Sequence, residues 1–121
     1  MDTLEIYSIS AFASRNGQIK AVIAFNEKHP VFAGHFPGNP VVPGVLQVQV
    51  IKELLEKKLG QKLLLVSARN IKFLSVISPV VHPEVEAILH VGLSENQYMV
   101  QASIYSGDTT FMKFSGIFRN L

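Results

Sequence analysis

Residues 34–46 read Gly34-His35-Phe36-Pro37-Gly38-Asn39-Pro40-Val41-Val42-Pro43-Gly44-Val45-Leu46, and an apolar helical pattern follows at once. Pro37, Pro40 and Pro43 are interleaved with Gly34, Gly38 and Gly44. Proline fixes φ and has no N–H to give, so a stretch this rich in it neither continues a helix nor pairs inside a sheet. The stretch predicts a rigid loop that holds one histidine, His35, just ahead of a helix N-terminus. A loop with so little freedom of its own is a positioning device.

Beyond the loop the period changes. From Pro43 to Leu59 the spacing predicts one long helix of about four to five turns, with Pro43 or Gly44 suited to its first turn. Val48, Ile51, Leu55 and Leu59 fall on one side, widened by Val50 and Leu54, while Lys52, Glu53, Glu56 and Lys57 gather opposite. Gly60 is a stop signal.

Only strands are expected elsewhere. Leu4 to Phe12 alternates roughly, through Leu4, Ile6, Ile9 and Phe12. Asn16-Gly17 is a hairpin signal, and Ile19 to Phe25 returns as a second strand that His29-Pro30 ends. Val31-Phe32-Ala33 then leads into the loop. After the helix come Leu63 to Phe73, a turn marked by Ser78-Pro79 and His82-Pro83, then Glu84 to Leu93, Tyr98 to Ile104 and Phe111 to Phe118. Ser94 to Gln97 and Ser106-Gly107-Asp108 turn between the last three strands. The order is two strands, a helix, then about four strands. Because the helix is apolar over more than half its circumference, the sheet must curl around it, giving an α+β domain over residues 1–121. Such a sheet leaves edges to cover, so a dimer is expected.

Composition narrows the function. Hydrophobic residues make up 48% of the 121 and charged residues 17%, enough for one core and unlike a disordered chain. No apolar run approaches the roughly 20 residues that span a bilayer. The acidic start, Met1-Asp2-Thr3-Leu4-Glu5, argues against a signal peptide. With no cysteine there is no disulfide or thiolate chemistry, a metal site is not expected, and a reducing cytoplasm is the default location. A net charge of +2 without a dense basic cluster gives no sign of nucleic-acid binding.

His35 is the first candidate for chemistry. Its side chain titrates near neutrality, and the helix start behind it offers backbone N–H groups at Gly44 and Val45 that suit a developing oxyanion. The plainer reading is a histidine packed in a turn. His29, His82 and His90 read as ordinary turn or strand residues.

The loop of residues 34–46 resembles the active-site signature of the β-hydroxyacyl-acyl carrier protein dehydratases of fatty acid synthesis. His35, Phe36, Pro37, Gly38, Pro40, Pro43, Gly44, Val45 and Leu46 stand at that family's spacing. Ile71-Lys72-Phe73 and the segment Val76 to Pro83 resemble its post-helix region. The resemblance covers roughly residues 18 to 119. It implies a hotdog fold and a dimer whose sheets join side by side. It also implies a substrate carried as a pantetheine thioester on acyl carrier protein or CoA, with no other cofactor.

In that family the histidine takes the α-proton of a 3-hydroxyacyl thioester. An acidic residue on the partner subunit's helix protonates the leaving hydroxyl, and a backbone N–H at the helix start holds the thioester oxygen. His35 matches the base, and Gly44 or Val45 the oxyanion donor, with Phe36 and Pro43 beside the substrate. Fourteen positions after His35, where the acid belongs, stands Gln49. An amide donates and accepts hydrogen bonds but does not titrate. Glu53, one turn on, is a substitute acid, or else a solvated surface carboxylate. Gln47 interrupts the apolar side and suits either first-turn capping or substrate binding. Three functions remain open: a dehydratase with Gln49 orienting the hydroxyl, a binding or partner subunit of a heterodimer, and a thioesterase. Arg69, Lys72 and Lys113 are possible contacts for an acidic carrier protein.

Overall fold

The computed structural model describes residues 5–34 and 38–121. The strands are β1 (Tyr7–Arg15), β2 (Gln18–Phe25), β3 (Leu63–Phe73), β4 (Glu84–Ser94), β5 (Gln97–Ser106) and β6 (Thr109–Asn120). Between β2 and β3 lie α1 (Pro30–Gly34) and α2 (Gly44–Leu59). All neighbours pair antiparallel in one sheet of order β1-β2-β4-β5-β6-β3. This is the expected six-stranded hotdog arrangement. Within the described residues, no helix is long and apolar enough to cross a membrane.

Local chemistry explains the elements. Asn16 and Gly17 take φ of 51° and 77°, the left-handed pair that a two-residue hairpin demands. Glu95 and Asn96 do the same between β4 and β5, at 51° and 64°. The irregular spacing of β1 has a cause: its register shifts between Ile9 and Ala11, so one bulged residue moves the inward phase from Ile9 to Phe12. Helix α1 departs from the expected lead-in to the loop. Pro30 opens it, and His29 Nδ1 accepts the Val31 N–H at 3.0 Å, so His29 caps a single turn.

Helix α2 begins after Pro43 in extended conformation and ends at Gly60, whose φ of 67° is left-handed and whose N–H returns to Glu56 O at 2.8 Å. Its buried stripe is Gln47, Val50, Ile51, Leu54 and Leu55, while the expected members Val48 and Leu59 are only half-buried. Ile51, Leu54 and Leu55 have no exposure at all. They belong to one core with inward residues of the sheet such as Ile23, Leu89, Ile104 and Phe118.

The opposite side of α2 is less solvated than its charges suggested. The Leu63 N–H donates to Glu56 Oε2 at 2.8 Å, Lys57 Nζ lies 5.5 Å from the centre of the Phe12 ring, and Glu53 is bonded to β1. Strand residues thus reach both flanks of the helix, as a wrapped helix requires.

Leu54→Ala is expected to cost roughly 2–5 kcal/mol, read from the urea unfolding midpoint, because it opens a cavity against the sheet. Val45→Ala, at a side chain 80% exposed, is expected to change stability by less than about 0.5 kcal/mol.

Candidate functional site

His35 and Phe36, the base and its neighbour in the sequence reading, lie outside the described residues. The frame that follows them is described. Val42 donates its N–H to Ile77 O at 2.9 Å, which fastens the second half of the loop to the segment after β3. That segment is fastened in turn, since the Leu74 and Ser75 N–H groups donate to Phe111 O at 2.8 and 3.2 Å. Between these two anchored stretches runs a groove of about 380 Å³, walled by Val41 to Gly44 and Gln47 on one side and Phe73 to Val76 on the other.

The start of α2 closes one end of this groove. Pro43 O accepts the N–H groups of Leu46 at 3.1 Å and Gln47 at 3.2 Å. Those of Gly44 and Val45 belong to the first turn, where a helix has no acceptors of its own and carries its positive end. The Phe73 ring sits against Gly44: a Cβ there would lie 2.6 Å from Phe73 Cζ. Gly44 and Pro43 therefore line the groove. The Val45 side chain does not, being 80% exposed.

Gln49 and Glu53 form a separate cluster on the helix. Gln49 Nε2 donates to Glu53 Oε2 at 2.8 Å, and the Tyr7 hydroxyl donates to Glu53 Oε1. Both carboxylate oxygens are thus acceptors. Glu53 is half-buried and bonded rather than a freely solvated carboxylate. Tyr7 was missed in the sequence, where only Leu4, Ile6, Ile9 and Phe12 marked β1. Its partner stands 46 positions away, and no local pattern reports such a pairing. Burial above all, then the Glu53 hydrogen bond and charge, holds the Tyr7 hydroxyl well above its ordinary value.

The remaining histidines behave as turn and strand residues. His82 is half-buried with its ring edge-on to Phe111 at 4.9 Å, and His90 is exposed on β4. No cluster able to hold a metal ion occurs among the described residues.

The Tyr7 shift predicts an alkaline effect. A pKa raised by folding adds stability that is whole below the unfolded value of 10.0 and is lost as pH climbs beyond it. Urea midpoints of the parent protein are expected to fall between about pH 8 and about pH 11, and those of Tyr7→Phe to fall less. Parallel declines would count against the Tyr7–Glu53 bond.

Comparisons with known proteins agree with this frame. A profile of the ApeI-like family, described as ApeI dehydratase, matches residues 11–114. The 3-hydroxyacyl-acyl-carrier-protein dehydratase FabZ of Clostridium acetobutylicum is 36% identical over 64 residues, 47% of this chain and 44% of that protein. FabZ of Rickettsia felis is 35% identical over 72 residues, 53% and 50% of the two chains. The chain spans about half the length of the curated relatives it matches. Among solved structures, the dehydratase heterocomplex ApeI:P from Xenorhabdus doucetiae aligns with a TM-score of 0.73 at 15% identity, over 93% of this chain and 98% of that one. An uncharacterized protein from Erwinia carotovora subsp. atroseptica aligns at 0.64 with 24% identity, over 97% and 95%. These two likenesses speak for the fold alone. The family match runs from within β1 to within β6 and so takes in the loop, the helix and the groove together: the chain belongs to the ApeI-like dehydratase family.

Proposed function

We propose that the chain removes water from a 3-hydroxyacyl thioester to give a 2-enoyl thioester, with the groove at the start of α2 as the thioester site. One observation carries the reading: a mostly apolar groove ends at the first turn of a helix, and the sequence just before that helix carries His35. An acyl thioester needs apolar walls for its chain and hydrogen-bond donors for its carbonyl oxygen, and the helix start supplies the second.

In this reading the Gly44 or Val45 N–H holds the thioester oxygen, which acidifies C2–H. His35 takes that proton. The electron pair forms the C2–C3 double bond as the C3–O bond breaks, and the imidazolium returns its proton to the departing hydroxyl, so that water leaves. Gln49 orients the hydroxyl and transfers no proton. Its orientation is set from behind: with Nε2 given to Glu53, and Glu53 held by Tyr7, the Gln49 carbonyl is left to face a substrate. Glu53 acts here as a support for Gln49.

The substrate is carried by acyl carrier protein or CoA, in fatty acid synthesis or a related lipid pathway of the cytoplasm. Two copies pair through the outer edge of β3, an edge strand whose Leu64 and Val66 are exposed. Each groove then meets a Gln49 from the other copy. Gln49 itself favours a second reading, a heterodimer in which another hotdog chain brings a carboxylic acid to His35. The Xenorhabdus doucetiae relative is by its name a heterocomplex.

Loss of water from a 3-hydroxyacyl carrier-protein thioester, followed by mass spectrometry, tests the first reading. His35→Ala is expected to lower kcat by ~10²-fold or more, and Gln49→Leu by less. Tyr7→Phe is expected to lower kcat a few-fold with KM unchanged, since it loosens a support. Unchanged turnover in His35→Ala would refute the assignment. Turnover that appears only with a second, carboxylate-bearing hotdog chain would decide for the heterodimer.

A further inference from the structure

Gln47 is the one polar side chain buried in the core of the described residues, at 3% exposure. Its Nε2 donates to Val42 O at 3.3 Å. That acceptor fixes the amide, because turning it over would set Oε1 against another carbonyl oxygen. Oε1 is shielded from solvent and has no hydrogen-bond partner among the described residues. An acceptor left unpaired inside a protein is destabilising, and leucine at this position would have avoided it. Yet Gln47 lines the groove, whose other walls are largely apolar.

We propose that Gln47 Oε1 accepts an N–H or O–H of the thioester bound in this groove, and so helps to select which thioesters the chain takes. The inference rests on the groove being the thioester site. Gln47 stands three residues after Gly44, which is ~4.5 Å along the helix axis. With the thioester oxygen at the Gly44 N–H, two donors of the ligand lie within a few bonds of the carbonyl carbon. One is the hydroxyl on C3, and the other is the nearer amide N–H of the pantetheine arm. The facing wall leaves room for approach: Phe73, Leu74 and Val76 are each more than half exposed, at 53%, 55% and 60%, and can shift without disturbing the core.

Calorimetric titration of hexanoyl-pantetheine and 3-hydroxyhexanoyl-pantetheine tests this. The proteins are His35→Ala, which slows turnover, and His35→Ala with Gln47→Leu. The added substitution is expected to weaken binding on the order of ten-fold and to leave Tm unchanged or raised, since it removes an unpaired acceptor. Loss for the hydroxy probe alone assigns the donor to the C3 hydroxyl, and equal loss for both probes assigns it to the pantetheine amide. Equal affinity of the two proteins for both probes overturns the proposal. Failure of His35→Ala to bind either probe removes the thioester reading and this inference with it. Should Gln47→Leu melt early, Gln47→Met, unbranched and close in size, gives the same comparison.

Discussion

Helix α2 carries a broad apolar stripe that must be covered, and the rest of the structure follows from that. Three of its side chains, Ile51, Leu54 and Leu55, are wholly removed from water. Burying each contributes roughly 1.5–3 kcal/mol. A flat sheet would cover only one side, so the six strands curl. The curl brings Leu63 of β3 and Tyr7 and Phe12 of β1 to the flanks of the helix, where they meet Glu56, Glu53 and Lys57. The groove lies at the helix start, between Val41 to Gly44 with Gln47 and Phe73 to Val76.

Two glutamines two positions apart show how completely the wrapping sets the chemistry. Successive helical residues are turned by about 100°, so residues 47 and 49 project from nearly opposite sides. Gln47 lies in the core and carries an unpaired acceptor, while Gln49 is outside and bonded to Glu53. One amide lines the groove, and the other stands on the outer surface.

Much of this was legible in the sequence, for local reasons. Asn16-Gly17 and Gly60 dictate backbone geometry by themselves, and the apolar period of residues 43–59 announces a helix that needs wrapping. That Val48 and Leu59 sit at the half-buried margin of the stripe was not legible, because it depends on which way the sheet curls. Neither was the bulge in β1: the wide gap from Ile9 to Phe12 was visible, but a bulge and a weak strand leave the same trace. The Tyr7–Glu53–Gln49 cluster was hidden most deeply, since it joins an edge strand to the third turn of a helix. Of the candidate site, the sequence offered residue identities, while the groove and the support behind Gln49 needed three dimensions.

The seat of the Phe73 ring on Gly44 has a consequence for how the family can vary. A side chain at position 44 would meet the end of a ring that is half exposed and free to turn, so the fold would survive while the groove changed shape. Positions 44 and 73 therefore share a single volume, although 29 residues separate them. A relative that enlarges the first is expected to shrink the second, and the shape of the groove would be set by how the two divide that space.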